Sequence, residues 1–154
     1  MNPRNIDIRP ANLEDIDAMV GLLEQLFVIE EDFDFNPENH RKGLFLMLNG
    51  CSKHKSVQVA VKEGRVIGMC TVQTRISTVS GNIAAVLEDM VIDKAYRHRG
   101  TGTQMLRHME KWALKRGINH LQLLADRENH PALSFYKANN WDATQLICLF
   151  RTLS

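Results

Sequence analysis

Around residue 55 the apolar residues of this 154-residue chain change their period, and that change decides most of what the chain can fold into. Before it, Leu13, Ile16, Met19, Val20, Leu23, Leu26 and Phe27 recur at the spacing of one helix face. After it, Val57, Val59 and Val61 alternate with other residues, the period of a half-buried strand. Glu63-Gly64-Arg65 then turns the chain back through Val66 to Thr74, and a third strand, about Ile83 to Ile92, closes an antiparallel meander. A chain with both periods must bury helices against a sheet. The predicted class is therefore mixed α/β, with a central, mostly antiparallel sheet flanked by helices.

Local signals place the remaining elements. Ile6 to Arg9 alternates like a strand, and Asn12 stands where a helix cap belongs, with Glu14 and Asp15 in the first turn. A second helix is expected from Asn36, with Pro37 at its first position and Gly50 past its end. Gly100 and Gly102 introduce a helix whose apolar stripe is Met105, Leu106, Met109, Trp112 and Ala113, and Gly117 stops it. Ile118 to Ala125 is apolar enough for a central strand, a short helix runs from Pro131 through Tyr136, and Asn140 suits the left-handed turn that ends it. Ala143 to Phe150 is expected to form the last strand, giving the order β-α-α-β-β-β-α-β-α-β. With no repeat and no linker, residues 1–154 are expected to form one domain.

Bulk properties exclude several classes. A hydrophobic share of 44% with 24% charged residues belongs to globular rather than disordered chains. A net charge of +1 gives no electrostatic case for a nucleic-acid partner or an anionic membrane. No apolar run approaches the roughly 20 residues of a membrane helix, and Met1-Asn2-Pro3-Arg4 does not open a signal peptide. Three cysteines (Cys51, Cys70, Cys148) form no paired spacing, which fits free thiols in a reducing cytoplasm; Cys70 and Cys148, in predicted strands, read as packed thiols. The six histidines show no ligand spacing, so no metal is expected. No Gly-x-Ser-x-Gly elbow supplies a serine nucleophile.

The sharpest motif is Tyr96-Arg97-His98-Arg99-Gly100-Thr101-Gly102, between an apolar strand and an amphipathic helix. Glycines there allow a tight turn and close approach to a ligand, and the free N–H groups of a helix start favour a phosphate. Met105 stands where a dinucleotide fingerprint needs its third glycine, and no Lys-Ser/Thr follows as in a P-loop.

With this motif in its context, the whole chain resembles the GNAT family of acyl-CoA N-acyltransferases. The family's Gln/Arg-x-x-Gly-x-Gly/Ala signature after its fourth strand is matched by Arg97, Gly100 and Gly102. A fifth strand, an Asn and a helix bearing Phe-Tyr follow in the family; here they are Leu121 to Ala125, Asn129, and Phe135-Tyr136. The run Leu87-Glu88-Asp89-Met90-Val91-Ile92 is similar to the spermidine/spermine and glucosamine-phosphate acetyltransferase branches. Asn140-Trp141 departs from the Gly-Phe of many relatives, although Asn tolerates the same backbone region.

The resemblance implies a GNAT-type fold and transfer of an acetyl group from acetyl-CoA to an amine. The amides from His98 to Thr103 (His98, Arg99, Gly100, Thr101, Gly102, Thr103), with Arg97, would cradle the pyrophosphate, and Met90, Val91 and Ile92 would pair with the pantetheine arm. Asn129 and Tyr136 would complete the coenzyme site. Glu88 is the expected base, with Asp89 or a water as alternatives, and Tyr136 the acid that protonates the leaving thiolate. The family sets its acceptor beside the segment between the first two helices, where Glu31, Asp32 and Asp34 would favour a cationic amine, with Asp89 adding to the field. Phe33 and Phe35, interleaved with these acids, could meet the acceptor or simply anchor the loop to the core. A small-molecule amine is the expected acceptor; a protein acetyltransferase of lysines or N-termini, or a non-catalytic acetyl-CoA sensor, are the alternatives. Family habit allows a homodimer.

Overall fold

The computed structural model describes residues 5–29 and 34–154, which fall into two compact units divided after Leu123. The first unit begins with strand β1 (Asp7–Pro10), a 3-10 turn (Leu13–Asp15) and helix α1 (Ile16–Ile29). Asn12 opens this helix with a capping box. Its side chain accepts from the Glu14 amide, and the Asp15 carboxylate accepts from the Asn12 amide, both at 2.9 Å. Asp15 is buried and also takes two bonds from the Arg9 guanidinium, at 2.7 and 3.0 Å. That pairing holds the Asp15 carboxyl below its usual range. Helix α2 (Pro37–Leu48) starts as expected, Asn36 capping the Asn39 amide at 3.0 Å.

The hairpin and meander form strands β2 (Lys55–Lys62), β3 (Arg65–Ser77) and β4 (Asn82–Ile92), each antiparallel to the one before. After a second 3-10 turn (Lys94–Tyr96) come helix α3 (Thr101–Leu114) and strand β5 (Leu121–Leu123), which joins β4 in parallel. The sheet order is β1-β2-β3-β4-β5. The strand expected over 118–125 is thus shorter and stands at the sheet's edge rather than its centre.

Neighbouring residues of a strand point to opposite faces, and this places the helices. Val57, Val59 and Met69 pack with Met19, Val20, Leu22 and Leu23 of α1 and Leu44 of α2. Gly68, next to Met69, faces α3: a Cβ there would lie 2.7 Å from Ile92 Cδ1, 3.1 Å from Met105 Sδ and 3.3 Å from the Val91 carbonyl. Helices α1 and α2 therefore cover one face of the sheet and α3 the other. The buried apolar side chains of α3, Met105, Leu106, Met109 and Ala113, are those of the predicted stripe, except that Trp112 is only half-buried.

The second unit contains helix α4 (His130–Ala138), capped by Asn129, whose side chain accepts from the Ala132 amide at 3.2 Å. Asn140 takes the left-handed conformation (φ 66°), and the Trp141 amide returns to the Tyr136 carbonyl at 3.0 Å. The Tyr136 ring stands 5.2 Å from Phe135 and 6.0 Å from Trp141. The strand expected over Ala143 to Phe150 does not form. A strand takes its backbone hydrogen bonds from a neighbouring strand, and α4 is the regular element this unit offers. Cys148 is exposed as a result, not packed, whereas Cys70 is buried as expected.

Candidate active site

The pairing of β3 with β4 breaks once, and the break shapes the site. Gly68 pairs with Ile92 and Met69 with Val91, but Thr71 pairs with Glu88. Cys70 is thereby set against two residues, Asp89 and Met90, which makes a β-bulge. Asp89 adopts φ 50°, the left-handed region that Asp tolerates better than most residues. The buried Thr71 hydroxyl donates to its carboxylate at 3.5 Å, and the Cys70 thiol donates to the Glu88 carbonyl at 3.7 Å. Burial pushes the Asp89 carboxyl up to about 6, the neighbouring Glu88 adds to the shift, and the Thr71 bond opposes it. Burial likewise pushes the Cys70 thiol well up, so it is no nucleophile. The sequence suggests Glu88 as the carboxylate that burial would tune; the bulge gives that position to Asp89 and leaves Glu88 exposed.

The same strand has a free edge. Strand β5 covers Ala85 to Leu87, and β4 runs on from Glu88 through Ile92 beyond that last pairing. Met90, Val91 and Ile92 therefore have no strand beside them on that side among the described residues, an edge along which an extended ligand bearing amides can pair as a strand would.

At the end of β4 the chain is tied down by side chains. The Asp93 amide bonds the Ile67 carbonyl at 2.8 Å, and the buried Asp93 side chain accepts from the Ala95 amide at 2.9 Å and pairs with Arg65 at 3.4 Å. The Lys94 amide donates to Gln25 Oε1 of α1 at 3.0 Å. Arg97 Nε donates to the Ile92 carbonyl at 2.8 Å, so this guanidinium is anchored on the last residue of that edge. Lys62, Arg65 and Arg99 lie 5.8, 5.9 and 5.8 Å from the centre of the Tyr96 ring, which gathers positive charge around one aromatic side chain.

Helix α3 then begins without a side-chain cap. Gly100 stands at its N-cap with φ 83° and open space where a Cβ would be, and the first intrahelical bond runs from the Gln104 amide to the Gly100 carbonyl. The amides of Thr101, Gly102 and Thr103 precede that bond and need an outside acceptor. The Thr101 hydroxyl is buried with no hydrogen-bond partner among the described residues. His98 is also left-handed, at φ 61°. An uncapped helix start, a bare glycine and a cationic approach suit a phosphate. The residues present therefore fit a ligand with an extended amide arm and a phosphate-bearing end, as coenzyme A has.

Glu88, Asp89, Met90, Val91, Ile92 and the turn from Arg97 to Thr103 are thus assembled on one strand, turn and helix. Asn129 and Tyr136 lie on α4 of the second unit. Of the acidic segment, Asp34 is exposed, while Glu30, Glu31, Asp32 and Phe33 lie outside the described residues. Phe35 stacks on His40 at 5.2 Å and packs against the core, so it anchors the segment. Among the described residues no cluster of His, Cys, Asp and Glu could hold a metal, and no helix is long and apolar enough to cross a membrane. Thr71, Asp93 and Gln25 escaped the sequence reading, since each acts through a partner fixed only by tertiary pairing.

Comparison with known proteins bears on the family and the fold. A profile of the acetyltransferase (GNAT) family matches residues 22–141. A possible acetyltransferase from Clostridium difficile 630 superimposes with a TM-score of 0.82 at 18% identity, covering 97% of this chain and 99% of its own. The aminoglycoside N-acetyltransferase AAC(6')-Iy in complex with CoA gives 0.81 at 20% identity, over 96% and 95% of the two chains. An aminoglycoside acetyltransferase from an uncultured soil metagenomic sample, in complex with sisomicin, gives 0.76 at 20%, over 97% of each chain. A search of curated proteins finds no match.

Proposed function

Since this chain belongs to the acetyltransferase (GNAT) family and is an acyl-CoA-dependent N-acetyltransferase, we propose that it moves an acetyl group from acetyl-CoA to the primary amine of a small cationic molecule. In this reading residues 1–154 work as one catalytic domain, cytoplasmic and homodimeric. The observation that carries it is the free edge of β4 from Glu88 to Ile92, leading into the uncapped start of α3. Acetyl-CoA supplies an activated thioester and a pyrophosphate. The amides of Thr101, Gly102 and Thr103, with Arg97, His98, Arg99 and the bare Gly100, hold the pyrophosphate; for Asn129, which caps α4, and Tyr136, within it, the family resemblance implies coenzyme-binding roles. Met90, Val91 and Ile92 pair with the pantetheine amides, and a backbone N–H there polarises the thioester carbonyl.

The amine, with a pKa near 10, arrives mostly protonated and must lose a proton to attack. Glu88 and Asp89 act as a carboxylate pair: exposed Glu88 meets the ammonium group, and Asp89, whose carboxyl sits near 6, accepts the proton. Tyr136 donates to the departing thiolate. Asp34, Glu88 and Asp89 have no ion-pair partner among the described residues, which favours a cationic acceptor, as Glu31 and Asp32 would. The aminoglycoside bound by a structural neighbour is a ligand of this kind.

The test is acetyl-CoA-dependent release of free thiol over a panel of polyamines, aminoglycosides, aminosugars, amino acids and peptides. A polycationic amine should give the highest kcat/KM. Preference for peptides would replace the small-molecule acceptor, and coenzyme A binding without transfer to any amine would make the protein a sensor.

A further inference from the structure

The first unit carries an open hollow that the acyl-transfer reading does not use. Its volume is about 290 Å³, and Ile6, Ile8, Gln104, Arg107, His108 and Lys111 line it, between β1 and α3. Ligand pockets run from roughly 300 to 1,000 Å³, so a hollow of this size suits a small molecule.

Its two walls differ in chemistry. Ile6, which precedes β1, and Ile8 within it are half-buried and form an apolar wall. Gln104, Arg107, His108 and Lys111 follow one another at i, i+3, i+4 and i+7, a single face of α3, and form a wall of donors. The buried stripe of Met105, Leu106, Met109 and Ala113 lies on a different face of the same helix.

The donor wall has no acceptor within the chain. Arg107 and Lys111 make no ion pair with any described residue, and Glu110, between them in sequence, does not line the hollow. Asp7 stands between the two isoleucines in sequence, but its charge acts on Arg9. Like charges four residues apart destabilise a helix unless something offsets them. The helix dipole does so for Lys111, in the last turn, and offers little to Arg107 in the middle.

We propose that this hollow binds a small organic phosphate monoester. Its dianion matches the two fixed charges of Arg107 and Lys111, and the guanidinium can donate two parallel bonds to it. The His108 ring and the Gln104 amide supply further donors, and the alkyl or aryl body of the ester rests on Ile6 and Ile8. A monocarboxylate brings half the charge, and inorganic phosphate brings nothing for the apolar wall. The site is separate from the uncapped helix start at Thr101, Gly102 and Thr103, and it does not depend on the acyl-transfer reading.

Phenyl phosphate is the probe, titrated at pH 8, where such an ester is a dianion, with coenzyme A already present to fill the helix start. Calorimetry should give saturable binding, tighter than that of inorganic phosphate or benzoate by about ten-fold. Arg107→Gln with Lys111→Gln should weaken it by about ten-fold or more while circular dichroism stays unchanged. Should that variant fail to fold, wild-type protein labelled at its isoleucine δ1 methyls decides the matter. The ring current of the bound phenyl group should move the Ile6 and Ile8 resonances, assigned through Ile6→Val and Ile8→Val, and leave the other isoleucines in place. Unmoved Ile6 and Ile8 methyls, affinity retained in the double variant, or equal affinity for inorganic phosphate would each overturn the proposal.

Discussion

The Thr71 hydroxyl donates to the Asp89 carboxylate at 3.5 Å across a β-bulge in which Asp89 is left-handed. This bond favours the ionised form of a carboxyl that burial and Glu88 nevertheless lift to about 6. As the proposed base, Asp89 must be ionised, so kcat/KM should fall as pH drops through about 6. Asp89→Asn should remove that limb and most of the turnover, while Glu88→Gln should keep the limb and raise KM for a cationic acceptor. A limb lost in the Glu88 variant and retained in the Asp89 variant would give the proton to Glu88.

The same carboxyl should destabilise the fold at neutral pH. Its folded pKa lies above the ordinary 3.8, so the native state binds the proton more tightly than the unfolded chain. The penalty is absent below about pH 4 and grows as pH rises through 6, to roughly 2–3 kcal/mol. Asparagine also tolerates the left-handed backbone. Thermal unfolding of Asp89→Asn should thus show a higher Tm than wild type at pH 8 and little difference at pH 4. Thr71→Val, which deletes the opposing bond, should move the acid limb of kcat/KM to higher pH; an unmoved limb would mean that the bond does not hold the carboxylate.

Gly100→Ala tests the phosphate cradle. The added methyl meets nothing in the protein, so it acts through the left-handed backbone, costing about 1 kcal/mol, and through the space a pyrophosphate would fill. KM for acetyl-CoA should rise several-fold with KM for the acceptor unchanged. Calorimetry showing undiminished coenzyme A affinity would remove this loop from the cradle.

What was legible in the sequence was local. The Asn12 cap with its acidic first turn, Asn36-Pro37 opening α2, Gly100 before α3 and Asn140 after α4 are each written within a few residues, and each is found where its local rule puts it. The bulge was not legible, because it depends on how Cys70 is registered against Asp89 and Met90 on the next strand. That register decides whether Glu88 or Asp89 is desolvated. The failed strand at Ala143 to Phe150 has the same origin: hydrophobic pattern states what a segment needs and not whether a neighbour is present to supply it.

The Arg9–Asp15 pair should govern part of the acid stability. Arg9 and the Asn12 amide hold the Asp15 carboxyl below its ordinary value, so its contribution is complete above about pH 4 and is lost as pH falls through the lower folded pKa. Arg9 is a third exposed, so solvent screens the ion pair, and most of the expected loss belongs to the capping box. Asp15→Ala should lower stability by about 1–2 kcal/mol at pH 7 and by much less at pH 2. Equal losses at both would show that the ionised carboxylate contributes nothing.

Tyr136→Phe separates an acid from a scaffold. Phenylalanine preserves the ring that stands against Phe135 and Trp141, and the bond from the Trp141 amide goes to the backbone carbonyl, which the substitution leaves in place. Packing of α4 should therefore survive. The hydroxyl is what protonation of the departing thiolate requires; without it the thiolate must leave unprotonated or take a proton from water. Turnover should drop by roughly 10²-fold, with KM for acetyl-CoA nearly constant and Tm changed by little. The loss should also be smaller with an acyl donor whose thiol is more acidic, since a better leaving group depends less on its acid. Full activity with a lowered Tm would make Tyr136 a packing residue and assign the acid to another group.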